Sequence, residues 1–328
     1  VYLSHVTGVC SEATGKEVEG WLVACPFTAR QMLQMSPHTA YDKIVRTGRM
    51  AHSLGARILG LLAFTSVVGD GGVTVARRLS IPVTTGRSLT VAVAVEALCE
   101  AARCRGIRPE SSAVAVVGAS GSVGSACAQL LAPIVAELVL IGRRESRLEE
   151  VQARVREAGG RMVRVSMRVE DVRQARMVLS ATNAPGPVIQ PEHLQRGAVV
   201  CDVAQPSDVS PRVVRERDDV LVIEGGVVDV PGEVDFGFDF GLPPGKVYAC
   251  MAETMVLAAT FAQDSIEMTW SMGSFLAYGG PVVWIAILLL RSNRVPRWLN
   301  WTGIIAGLAG FVWLLSWMPL PPVGPILV

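Results

Sequence analysis

The chain has 328 residues, with 30 basic and 29 acidic side chains and a formal net charge of +1. Half of it is apolar and 18% is charged, which excludes a disordered chain, and the near-neutral balance lacks the cationic excess of a nucleic-acid binder. Seven irregularly spaced cysteines and no opening secretory signal exclude a disulfide scaffold and make a reducing, cytoplasmic setting the expectation for the charged part of the chain.

Residues 1–86 alternate short extended and helical patterns. Trp21-Leu22-Val23-Ala24-Cys25 is strand-like, a helix starts over 29–33, and the span as a whole predicts a small α/β domain that holds substrate. Turn clusters at Gly69-Asp70-Gly71-Gly72 and at 81–86 close this domain. An apolar helix follows over 89–104, and Ala113-Val114-Ala115-Val116-Val117 is a β-branched run suited to a strand buried on both faces. Further strands are expected at 138–141, 162–165, 177–180, 199–202 and 220–223, with a helix over 145–157. Strands alternating with helices predict an α/β fold whose second domain, 87–228, is a doubly wound parallel sheet. Residues 225–245 are rich in Gly, Pro, Asp and Phe, and read as an ordered loop lining a cleft or as a surface connection. A helix is expected from 247 to about 263, so that 229–266 forms a cleft loop and a helix returning to the first domain.

The remainder, 267–328, differs in character. From residue 271 onward its only charges are Arg291, Arg294 and Arg297, and the stretches 272–290 and 303–320 approach the ~20 apolar residues that span a bilayer. Two membrane-spanning helices anchoring the catalytic body are expected, with a buried apolar hairpin as the alternative because Gly279-Gly280-Pro281 interrupts the first stretch. The three arginines between the stretches favour a cytoplasmic loop, which sets the topology at odds with a cytoplasmic catalytic body.

Chemistry concentrates in four places. Gly118-Ala119-Ser120-Gly121-Ser122-Val123-Gly124 directly follows the buried strand and opens a helix, the setting in which glycines let a backbone approach a dinucleotide pyrophosphate, with a purely structural glycine turn as the alternative. Arg143 and Arg144 stand at the end of the next strand, where an NAD site would carry an acid. Two guanidiniums there suit the 2′-phosphate of NADPH, with solvated surface residues as the alternative. Ala181, Thr182 and Asn183 follow a further strand and are assigned to the nicotinamide end, with an ordinary turn as the alternative. Cys250, at the start of a helix, is expected to have a depressed pKa and to act as a nucleophile, or else to be a small buried hydrophobe. Glu253, three residues on, is expected to cap the Cys250 amide, with proton transfer as its alternative role. Cys25 is a weaker nucleophile candidate, and Cys99 and Cys104 lack a histidine partner, so no metal site is expected.

These blocks resemble a known family, the NADPH-dependent long-chain fatty acyl-ACP reductases of cyanobacterial type. The resemblance runs in order through Ala13-Thr14-Gly15-Lys16, residues 20–25, Ala63-Phe64-Thr65-Ser66, Thr84-Thr85-Gly86, the glycine turn 118–124, Gly225-Gly226-Val227-Val228, and Ala249-Cys250-Met251-Ala252-Glu253-Thr254-Met255. It implies that Cys250 accepts the acyl chain of acyl-ACP or acyl-CoA as a thioester, that NADPH reduces it, and that a fatty aldehyde leaves for a partner the sequence does not identify. The family's Thr-Gly-Asp in the glycine turn is here Ser120-Gly121-Ser122, the chain opens on Val1 with an early segment expected to be missing, and residues beyond about 266 have no counterpart in it. Two readings compete with acyl reduction. One is a shikimate-type NADP dehydrogenase acting on a ketone or imine without a covalent step, the other a membrane-attached NADPH-binding protein without catalysis.

Overall fold

The computed structural model describes residues 1–12 and 15–260, and the chain divides into two units, Val1–Ala258 and Ala259–Val328. Among the described residues, the first unit holds every element except the last two residues of the helix over 249–260. Among the described residues no helix is long and apolar enough to cross a membrane, and the stretches 272–290 and 303–320 lie outside them.

The N-terminal part opens with an antiparallel pair, β1 (Tyr2–Cys10) and β2 (Glu17–Val23). Helix α1 (Ala29–Gln34) is started by a reciprocal cap between Thr28 and Gln31, and α2 (Pro37–Ser53) by the Ser36 hydroxyl, which accepts the Thr39 amide at 3.2 Å ahead of a proline at the first helical position. Two short parallel strands, β3 (Leu59–Gly60) and β4 (Val83–Thr84), flank α3 (Val73–Arg77). Ile44, Val45, Leu59, Val75 and Ile81 bury a core of their own. Cys25 packs at the edge of that core.

Helix α4 (Arg87–Cys104) leads into the sheet domain. There β5 (Ala113–Val117), α5 (Ser122–Leu131), β6 (Glu137–Ile141), α6 (Glu145–Glu157), β7 (Met162–Ser166), β8 (Met177–Ser180), β9 (Val199–Asp202), α7 (Pro211–Glu216) and β10 (Leu221–Glu224) follow in order. The six strands form one sheet in the order β10-β9-β8-β5-β6-β7, and all its pairings are parallel. This is the doubly wound, Rossmann-like order, with a switch point between β5 and β8 where the chain reverses its direction of travel across the sheet. The β-branched run 113–117 is buried as its pattern demands: Val114 and Val116 point into one core with α4, α5 and α6, while Ala115 and Val117 point into the other. Helices do not cover the two faces equally. The second face is closed by α7 and by 3₁₀ turns at Val169–Gln174 and Pro191–His193.

Beyond the sheet, β11 (Val227–Asp229) pairs antiparallel with β12 (Lys246–Tyr248). The helix expected from 247 therefore starts later: Val247 and Tyr248 belong to the ladder, and helix α8 runs from 249 through 260. Val247, Met251 and Ala252 bury a small cluster with Leu22, Leu62 and Leu89 from the N-terminal part and the start of α4.

Candidate active site

The glycine turn lies at the switch point. Gly118 has φ +82°, and a Cβ there would stand 2.5 Å from the Ala181 carbonyl oxygen, so only glycine lets the end of β5 close against the segment after β8. Gly124 is needed for a similar reason: its Cβ would meet the Gly118 oxygen at 2.4 Å, which brings the first turn of α5 down onto the strand end. No side chain caps α5, whose first residues are Ser122, Val123 and Gly124, and an uncapped helix start of this kind offers its amides to an anion. A cavity of about 290 Å³ opens beside the turn, lined by Ser120, Gly121 and Ser122 with Gln129 and Arg154. The residues present therefore fit a dinucleotide pyrophosphate.

Arg143 and Arg144 follow β6, are both exposed, and form no ion pair among the described residues. Gly142 brings this strand end close to the turn, since a Cβ there would lie 3.2 Å from Ser120 Oγ. Across the switch point, Ala181 faces Gly118 through its carbonyl and Asn183 is exposed. Thr182 is committed to the protein: its amide donates to Asp208 at 2.8 Å and its hydroxyl donates to the other oxygen of that carboxylate. Asp208 is fully buried and also accepts the Ser180 hydroxyl at 2.6 Å. Nothing local in the sequence marks Asp208 as the residue that shapes the 181–183 turn, because it lies 26 positions away from Thr182.

The second centre is Cys250, in the first turn of α8. The residue against it is Gly86, whose φ is +67° and whose Cβ would fall 2.3 Å from Cys250 Cα. The turn ending β4 thus presses its backbone onto the cysteine. Farther along α8, Gly60 of β3 makes room for Thr254, whose hydroxyl a Cβ would meet at 2.1 Å.

Two expectations change here. Glu253 does not cap the amide of Cys250; it reaches across to α4, where one carboxylate oxygen accepts the Leu89 amide at 2.8 Å and the other accepts the Thr84 hydroxyl. Thr84 Oγ1 in turn accepts the Gly86 amide at 3.2 Å. The expected spacing fails because α8 already starts at Ala249, which puts Cys250 inside the first turn instead of at the cap and leaves Glu253 a turn farther on, against the α4 N-terminus. The Cys250 thiol, expected to be acidified by its helix, is instead pushed above its ordinary pKa. Burial is the main cause, the amides of Met251 and Cys250 pull the value down, and the Glu253 carboxylate raises it further. Cys127 and Cys201, sealed in the sheet core, are pushed up to about 12 by burial.

Residues 101–224 match the shikimate / quinate 5-dehydrogenase family. The chain is 34% identical over 271 residues to the aminotransferase PigE of a Serratia species, covering 81% of this chain but 31% of that protein, so it spans about a third of that relative's length. It is 27% identical over 261 residues to the long-chain acyl-[acyl-carrier-protein] reductase of Synechococcus elongatus, covering 75% of this chain and 74% of that one. Among solved structures it resembles the quinate dehydrogenase of Corynebacterium glutamicum in complex with NAD, at 22% identity and a TM-score of 0.34 over 40% of this chain and 50% of that one. The chain carries an NAD(P)-dependent oxidoreductase fold. The family match stops at residue 224, ahead of α8 and Cys250, and so concerns the cofactor domain alone.

Proposed function

We propose that the protein reduces the acyl group of a thioester, carried on ACP or CoA, to an aldehyde with NADPH, through a covalent intermediate on Cys250. The observation that carries this reading is the seating of Cys250: a thiol in the first turn of a helix, backed by Gly86, within an apolar cluster and beside the start of the helix that runs into the cofactor domain. The similarity to an acyl-ACP reductase extends over 75% of this chain, far beyond residues 101–224 of the shikimate-type match, which supports the covalent reading over a dehydrogenase without a nucleophile.

Cys250 Sγ attacks the acyl carbonyl carbon, the carrier thiolate leaves, and the proton lost by Cys250 goes to that leaving thiol. The amides of Met251 and Cys250 that favour the charged sulfur assist this step. Gly86 and the Glu253 bridge to α4 hold the sulfur in place. Bound NADPH supplies the hydride, after which release of the aldehyde returns the sulfur as a thiolate. Gly118, Ser120, Gly121, Ser122, Val123 and Gly124 would hold the pyrophosphate, Arg143 and Arg144 the 2′-phosphate, and 181–183 the nicotinamide end.

The test is intact mass of the full chain with palmitoyl-CoA, with and without NADPH, alongside NADPH oxidation. An acyl adduct that NADPH discharges is expected, and Cys250→Ser should lower turnover about 10³-fold or more while leaving NADPH binding intact. Turnover that survives Cys250→Ser would replace this reading with the non-covalent dehydrogenase.

A further inference from the structure

The loop between β11 and β12 contains a doubled sequence. In Asp235-Phe236-Gly237, Asp235 Oδ1 accepts the Gly237 amide at 2.8 Å, and in Asp239-Phe240-Gly241, Asp239 Oδ1 accepts the Gly241 amide at 2.7 Å. Both glycines are left-handed, with φ of 55° and 74°. Each is a side-chain-closed turn of the kind aspartate favours. Repeating the turn brings Phe236 and Phe240 together edge to face, with ring centroids 5.7 Å apart at 83°, and the Phe238 ring lies 5.1 Å from that of Phe240.

The loop is fastened as well as folded. Thr7 of β1 and Asp235 exchange two backbone hydrogen bonds of 3.0 Å. Gly8, at φ +75°, passes so close beneath Glu233 that a Cβ would stand 2.2 Å from its carbonyl oxygen. Phe236 and Phe240 are half-buried in the same apolar cluster as Cys250, together with Leu62 and Leu89, while Phe238 is 47% exposed. The three rings therefore lead from the cluster that holds the nucleophile outward to solvent. A fastened aromatic surface loses little side-chain freedom when something apolar is laid on it.

Resting on the reading of Cys250 as the acylated residue, we propose that the double Asp-Phe-Gly turn is the wall along which the hydrocarbon chain of the acyl group lies, with Phe236 and Phe240 on the buried side and Phe238 at the rim. A chain bonded to Cys250 starts in this cluster. Its later methylenes have the rings to follow, so the loop sets the preference for long over short acyl groups.

The experiment compares kcat/KM of the full-length protein for butyryl-, octanoyl- and palmitoyl-CoA in the wild type and in Phe240→Ala, Phe236→Ala and Phe240→Leu. Each methylene that loses apolar contact is worth about fourfold, the equivalent of ~0.8 kcal/mol. Phe240→Ala and Phe236→Ala are expected to lower the value for palmitoyl-CoA about 10-fold or more and that for butyryl-CoA less than about threefold, with Phe240→Leu restoring most of the loss. An equal loss at every chain length, or none, would overturn the proposal. Butyryl adduct formation on wild-type Cys250 separates the two claims: an adduct combined with an unchanged chain-length profile in the variants sinks the wall alone, and no adduct at any chain length sinks both.

Discussion

Two turns in this molecule share a plan and differ in what fills them. At 118 and at 86 a parallel strand ends in a left-handed glycine, and a helix begins within four residues. At Gly118 the space a side chain would take belongs to the backbone of Ala181, and the helix that follows is uncapped. At Gly86 the space belongs to Cys250, and the start of α4 is taken by the carboxylate of Glu253. An uncapped helix start is open to an anionic ligand, whereas one satisfied from a distant segment becomes a joint. Under the proposed function, the turn at Gly118 and the turn at Gly86 are the same local device put to two uses.

Gly118→Ala and Gly86→Ala test that contrast most severely. The left-handed backbone alone costs an alanine about 1–2 kcal/mol, before the clash is counted. Gly118→Ala is expected to lose NADPH binding, followed by fluorescence titration, with Cys250 still acylated. Gly86→Ala should do the reverse, and a variant that loses both functions would break the comparison. A smaller effect is expected at the open turn's partner strand: replacing Arg143 and Arg144 with alanine should raise the KM for NADPH roughly 10- to 100-fold and leave that for NADH nearly unchanged, since a charge-assisted hydrogen bond is worth about 1.5–3 kcal/mol. Equal effects on the two cofactors would remove the 2′-phosphate assignment.

The mildest changes concern the joint. Glu253→Gln keeps an acceptor for the Leu89 amide and should retain most thermal stability, whereas Glu253→Ala should cost about 1 kcal/mol, as lost helix caps do. Alkylation of Cys250 gives a second reading of the same residue. Burial disfavours the thiolate, so the rate should rise with pH through a pKa above the ordinary cysteine value. Glu253→Gln removes a nearby negative charge and should shift that profile to lower pH, while Cys127 and Cys201 stay silent until close to pH 12. A profile unmoved by Glu253→Gln would show that the carboxylate is not near enough to the sulfur to matter.

The sheet was readable because its signals are local. The apolar run 113–117, the glycines behind it and the helix pattern at 145–157 each occupy one short stretch, and β5, the turn and α6 lie where those stretches predict. The N-terminal part was read only coarsely: β1 carries no strict alternation, and α2 owes its start to a Ser-Pro cap that is easily taken for a loop. Val247-Tyr248 reads as the start of a helix in the sequence, because the strand they belong to has no partner until β11 is folded beside it.

What the amino-acid order determined by itself is thus the strand and helix sequence of the cofactor domain, the glycine turn and the paired arginines after β6, all set by side-chain size, backbone freedom and periodicity within a few residues. Tertiary structure alone decided that Glu253 caps a helix 164 positions upstream, that Asp208 holds Thr182, and that Cys250 is buried enough to resist ionisation. Those outcomes depend on which surfaces meet when the chain closes, and desolvation and long-range hydrogen bonds exist only once they have met.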